Sequence, residues 1–175
     1  MKEFEFRYYK REELEINSID SRLNKEEKEV RRFLMNYTID NDKPYNLKDD
    51  LGLAADKMEK SNQELSDLFN ILIGKGVIVV GEDSNINYIY PISSMKTNHK
   101  VKLADGRSFN SMCAIDSIGS AFTFKQDVEI KSVCSDTGKP ISIKIVDEKF
   151  EEVSPIDMEI LHVDLKNNDN WSGSC

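Results

Sequence analysis

The apolar residues of this chain change their spacing partway along, and the change limits the folds open to it. Up to Gly76 they recur at helical intervals, as in Val30, Phe33, Leu34 and Tyr37 and again in Met58, Leu65, Leu68, Phe69 and Leu72. From Val77 onward they fall mostly in short runs with strand-like alternation, as in Ile141, Ile143 and Ile145. Helices first and strands afterwards is the order of an α+β chain, in which helices pack to one side of a mainly antiparallel sheet.

The punctuation divides the pattern further. Asn24 is a good N-cap with Glu27 at the capping-box position, so a helix is predicted to begin there. Residues 36–46, with Asp40, Asn41, Asp42 and Pro44, read as a loop. A short helix is predicted over 47–51, ending at Gly52, and a longer one follows that Gly74 and Gly76 close. Strands over 77–80 and 86–90 flank the turn 81–85. Three helices and then a hairpin is the winged-helix order, so residues 24–92 are predicted to form a winged-helix-like unit behind an N-terminal arm, 1–23. Pro91-Ile92-Ser93-Ser94 marks the boundary. Beyond it, 93–175 reads as a small, mainly antiparallel β domain: strands over 99–103 and 107–111 around Ala104-Asp105-Gly106, a helix over 113–122, a hairpin of 128–134 with 140–146, and a last strand over 158–165.

Charge narrows the partners. The net charge of −8 works against bulk attraction to nucleic acid or an anionic membrane. The would-be recognition helix mixes Asp56, Lys57, Glu59, Lys60, Glu64 and Asp67, and the wing tip carries Glu82 and Asp83, so DNA is not the expected ligand. No apolar run reaches the roughly 20 residues of a spanning helix, and the N-terminus does not read as a secretory signal. Three cysteines are an odd number for a disulfide-stapled domain, which points to a cytoplasmic chain with reduced thiols.

Met112-Cys113-Ala114-Ile115-Asp116 carries the most chemistry. A cysteine and an aspartate three apart at a helix start share a face, and the helix N-terminus favours a thiolate. An acid one turn from a nucleophilic sulfur can protonate whatever that sulfur has captured. The bland alternative is an inert buried thiol beside an aspartate that complements the helix dipole. His99 and His162 fall in predicted strands and read as structural, and zinc-site spacings such as C-x-x-C are absent.

The run Thr97-Asn98-His99-Lys100-Val101, Asp105-Gly106-Arg107, Cys113-Ala114-Ile115-Asp116 and Ser132-Val133-Cys134-Ser135-Asp136-Thr137-Gly138 resembles the organomercurial (alkylmercury) lyases in order and spacing. The preceding segment ending in Tyr90-Pro91-Ile92-Ser93 fits the same family. The resemblance implies an enzyme that cleaves a carbon–mercury bond by protonolysis. In that reading Cys113 and Cys175 are the metal-binding thiolates, Asp116 is the proton donor at the metal, and Cys134 matches a chiefly structural cysteine. It further implies that no resident cofactor is needed, that Hg(II) is the bound product, and that external small thiols release it. Hand-off of the metal to a thiol-containing partner belongs to the same picture.

Two departures accompany the resemblance. The sequence ends at Cys175 where family members continue, which leaves open a shortened relative or a missing C-terminal part, and a tail thiol as the alternative role of Cys175. Ser117-Ile118-Gly119-Ser120 is small and polar where the family prefers bulky apolar residues. The competing readings are a non-catalytic thiol protein of the same fold that binds or delivers a soft metal ion, and a metal-responsive winged-helix regulator.

Overall fold

The computed structural model describes residues 18–161. The chain is α+β: helices packed against an eight-stranded sheet in which every neighbouring pair is antiparallel. A 3-10 turn, Asp20–Arg22, leads into α1 (Lys25–Asn41), α2 (Leu51–Met58) and α3 (Asn62–Gly74). Then come β1 (Ile78–Val80), β2 (Ile86–Ile89), β3 (Ile92–Ser93), β4 (His99–Leu103) and β5 (Ser108–Ser111). A single helix, α4 (Ala114–Phe124), precedes β6 (Val128–Val133), β7 (Pro140–Val146) and β8 (Lys149–Ser154). The strand order across the sheet is β1-β2-β3-β5-β4-β6-β7-β8.

Local chemistry accounts for the helix starts. Asn24 and Ser61 each close a capping box, their side chains accepting from the backbone N–H of Glu27 and Glu64 while those carboxylates accept from the cap N–H in return. Val30, Leu34, Leu65 and Leu72 are then fully buried between the helices and the sheet. Tyr45 anchors this layer. Its ring meets Tyr37 and Phe69 edge-on at centroid distances of 5.0 and 5.8 Å, and its hydroxyl donates to the Asp50 carbonyl at 2.7 Å.

On the sheet, register lines up one apolar row: Phe109, Val101, Ile130, Ile143 and Val153 are successive cross-strand partners on β5, β4, β6, β7 and β8. Phe124 of α4 stacks on Phe109, ring centroids 5.5 Å apart, and so seats α4 on this face. Gly106 turns the β4–β5 hairpin with φ +91°, a conformation that side-chain-bearing residues rarely adopt.

Several expected boundaries move. Residues 36–41 are the last turns of α1 rather than loop, because Tyr37, Thr38 and Ile39 are buried there; the helix stops at Asp42, which is left-handed. Residues 47–50 form a turn fastened by Asn46, whose side chain accepts from Lys48 and Asp49, and α2 begins only at Leu51 and runs through Gly52. The longer predicted helix is two, broken where Glu59 turns left-handed and Ser61 starts a new cap, so Met58 ends α2. The helix predicted over 113–122 starts at Ala114, with Cys113 as its N-cap, and runs two residues further, to Phe124.

Among the described residues the last strand is β8 at Lys149–Ser154, and the described part of the expected strand over 158–165 does not form one. Residues 158–161 are not in a strand, and 162–165 lie outside the described residues. β8 is a charged, exposed edge, and so lacks the apolar alternation that identifies a strand in sequence. Residues 1–17 of the expected N-terminal arm 1–23, His162 and Cys175 also lie outside the described residues. Among the described residues no helix is long and apolar enough to cross a membrane.

Candidate active site

Ser111 ends β5, and the chain turns through Met112 into α4 with Cys113 as the N-cap residue, its backbone extended. The Cys113 side chain does not cap the helix. Its thiol donates instead to Asp116 Oδ2 at 3.2 Å, the one-turn reach that the three-residue spacing sets.

Three serines hold this turn. The Cys113 carbonyl accepts from the Ser117 N–H at 3.0 Å, from Ser117 Oγ at 2.9 Å and from Ser111 Oγ at 3.3 Å. Ser120 Oγ donates to the Asp116 carbonyl at 2.8 Å, and the Ser111 and Ser117 hydroxyls are themselves hydrogen-bonded. Ser111, Ser117 and Ser120 are all essentially without solvent contact. Ser117 and Ser120 of the small polar run after Asp116 therefore lie on the buried side of α4, where their hydroxyls are satisfied and their size permits close packing.

The electrostatics suit a proton carrier. Burial pushes the Asp116 carboxyl up to about 6 from its ordinary 3.8, because the charged form loses hydration. The Cys113 hydrogen bond and the Arg31 charge pull in the opposite direction and do not cancel the effect. A carboxyl with a pKa near 6 holds about a tenth of its population protonated at neutral pH, against less than about a thousandth for an ordinary aspartate.

Arg31 is the residue that sequence reasoning missed. It sits on α1 with its side chain only 7% exposed. Its Nη2 donates to the Tyr90 carbonyl at 2.6 Å and its Nη1 to Asp20 at 3.3 Å. The next carbonyl, that of Pro91, accepts from the Met112 N–H at 3.3 Å, immediately before Cys113. One buried guanidinium thus ties the helical layer to the segment that carries the thiol. The signal was available: Arg31 lies one turn before Leu34 and one turn after Glu27, a charged residue on the stripe of α1 that is otherwise buried.

The other expected residues fall elsewhere. Cys134 follows β6 at the corner of the β6–β7 hairpin, its N–H donating to the Lys139 carbonyl and its carbonyl accepting from Gly138, both at 2.9 Å. Hydrogen bonds from the Thr137 side chain and from the Thr137 and Asp136 backbone hold its thiol below the usual thiol range. His99 lies in β4 with Nδ1 2.8 Å from Ser132 Oγ, and burial lowers its pKa, which favours the neutral ring. Among the described residues no cluster of three or more His, Cys, Asp or Glu is assembled that could hold a metal ion. The structure therefore brings Cys113 and Asp116 together, and leaves Cys175 outside the described residues.

Comparisons with known proteins bear on the family and the fold. The alkylmercury lyase family model matches residues 92–175, a little under half of the chain and the part that holds Cys113, Asp116, Cys134 and Cys175. A solved structure of the mercury-bound form of MerB2 superposes with a TM-score of 0.68 at 22% identity, covering 89% of this chain and 73% of that one. At that identity the likeness is one of fold. Among curated proteins nothing matches. Over residues 92–175, the chain is similar to the alkylmercury lyase family.

Proposed function

We propose that this protein cleaves a carbon–mercury bond, or a related carbon–metal bond, by protonolysis. The observation that carries the reading is the pair formed by the Cys113 thiol and a partly buried Asp116 carboxyl with a pKa of about 6. A soft metal seeks sulfur, and the pair supplies both the sulfur and a proton for the carbon.

The steps follow from the donor and acceptor in hand. Asp116, as carboxylate, takes the Cys113 proton along the existing hydrogen bond, and the thiolate displaces a ligand from R–Hg to form S–Hg–R. Asp116 is now the carboxylic acid that burial favours. A second thiolate, which we assign to Cys175, adds electron density to the metal and weakens the Hg–C bond. The bonding pair of that Hg–C bond takes the Asp116 proton, R–H leaves, and Hg(II) remains between two sulfurs. The metal stays at +2 throughout, and Asp116 returns to carboxylate. No resident cofactor enters these steps.

In this reading Cys134 serves the hairpin corner, and the three helices with the β1–β2 hairpin form a winged-helix-like unit that covers the site. External thiols, or a thiol-bearing partner that receives the metal, release the product, and the reaction takes place in the cytoplasm. The test is to incubate the protein with an organomercurial and excess small thiol and to follow hydrocarbon by gas chromatography, with Cys113→Ser and Cys175→Ser alongside. Release that depends on both cysteines is expected. Mercury bound through Cys113 with no hydrocarbon from wild type would overturn the lyase reading.

A further inference from the structure

A cleft of about 740 Å³ opens between α1 and α4, on the side of α4 away from the buried serines. In a chain whose net charge is −8, it exposes four cations, Lys25, Lys28, Arg32 and Lys125, against two carboxylates, Asp20 and Glu29. Both acids are already engaged, Asp20 with Lys28 at 2.9 Å and Glu29 with Lys25 at 3.9 Å. Arg32 and Lys125 form no ion pair among the described residues. Arg32 is held at the α4 wall, its Cζ 5.9 Å from the centroid of the Phe124 ring. The same wall adds an apolar surface, since Phe122 is 50% exposed there.

The polypeptide itself meets the fold at this cleft. Ser18, the first described residue, lines it, and the next residue, Ile19, packs partly buried against the core. Immediately before Ser18 the sequence reads Glu12-Glu13-Leu14-Glu15-Ile16-Asn17: three carboxylates, two aliphatic side chains and no cation. That composition complements the cleft in sign and in kind, with acids for Arg32 and Lys125 and aliphatic groups for Phe122. Reach is sufficient, because three to six residues of extended chain span roughly 10–20 Å. A free ligand would gain little from exposed cations, whose ion pairs are individually weak. A tethered segment meets them at an effective concentration on the order of millimolar.

We propose that residues 12–17 of this chain occupy the cleft, their carboxylates against Arg32 and Lys125 and their aliphatic side chains on Phe122. The segment then bridges α1 and α4 on the outer side of the helix that carries Cys113 and Asp116. The contact is made within one chain, and it does not depend on the lyase reading.

Carbodiimide coupling, which joins a carboxylate to an amine in direct contact, tests the placement on the full chain at micromolar concentration. After proteolysis and mass spectrometry of the monomer, an amide between Lys125 and Glu12, Glu13 or Glu15 is expected. Arg32→Glu leaves both coupling partners in place and reverses the charge beside them, so the yield of that amide is expected to fall about fivefold. Arg32 is exposed, so the fold is kept. An unchanged yield in Arg32→Glu would overturn the proposal, as would absence of the Lys125 amide from wild type. Coupling of the three glutamates mainly to Lys100, Lys102 or Lys131, exposed on the far face of the sheet, or amides found only between two copies, would overturn it as well. A charge exchange gives a second reading, from urea melts of the full chain. Glu12→Lys, Glu13→Lys and Glu15→Lys form one set, Arg32→Glu and Lys125→Glu the other. The variant carrying both sets is expected to be more stable than the sum of the two separate effects; strict additivity would contradict the contact.

Discussion

The Cys113 thiol hydrogen-bonds to Asp116 across a single turn of α4, and the Asp116 carbonyl in turn accepts from Ser120 on the next turn. The proposed acid and nucleophile therefore belong to one helix start rather than to two loops, which fixes their separation before any substrate arrives. Asp116→Ala is expected to abolish hydrocarbon release while leaving metal capture at Cys113 largely intact. Mercury stoichiometry measured beside gas chromatography separates the two.

A buried carboxyl that must ionise is a cost to the fold, with a definite pH signature. The Asp116 pKa is about 6 in the native state against 3.8 for the ordinary side chain, so between those values the folded protein binds more protons than the unfolded one. Stability then falls as pH rises through that window. Asp116→Asn does not titrate, so its stability relative to wild type is expected to improve by about 3 kcal/mol between pH 3.5 and pH 7. Urea melts of the two proteins across that range measure it. A constant difference would mean that Asp116 is not buried as described.

Arg31 gives a prediction about the fold itself. Arg31→Met removes the hydrogen bond to the Tyr90 carbonyl and the charge beside Asp116, and is expected to destabilise the protein by about 2–4 kcal/mol in chemical denaturation. Arg31→Lys keeps the charge but not the planar fork that reaches both Tyr90 and Asp20, so it should recover only part of the loss.

The buried serines should respond to size more than to polarity. Ser120→Ala loses one hydrogen bond to the Asp116 carbonyl, an effect of about 1 kcal/mol. Ser120→Leu forces a large side chain into a fully buried position between α4 and the sheet, with an expected cost of about 1–3 kcal/mol beyond that. Denaturant midpoints of the two variants, compared with wild type, decide the order.

What the sequence reveals and what it hides follow physical lines. The start of α1, the β4–β5 and β6–β7 hairpins and α4 were legible because each rests on local chemistry: the Asn24–Glu27 capping box, Gly106 at positive φ, and alternation in Ile141, Ile143 and Ile145. The Cys113–Asp116 pair was legible for the same reason, since three residues on a helix fix a contact. The end of α1 was not, because Asn41 and Asp42 look like loop while Tyr37 and Ile39 are held helical by tertiary burial. β8 was hidden by its exposed charges, and Arg31 because its partners, Tyr90 and Asp116, are distant in sequence. The serines after Asp116 read as a departure from the family pattern, and their role emerged only from the hydrogen bonds they make around Cys113.

The most direct test of the account is single-turnover hydrocarbon release in D2O by wild type and Asp116→Asn, each loaded with one equivalent of organomercurial and supplied with excess thiol. Wild type is expected to release hydrocarbon carrying one deuterium, and Asp116→Asn to hold the organomercurial without releasing hydrocarbon. Release by Asp116→Asn at the wild-type rate would contradict the assignment of Asp116 as the proton donor.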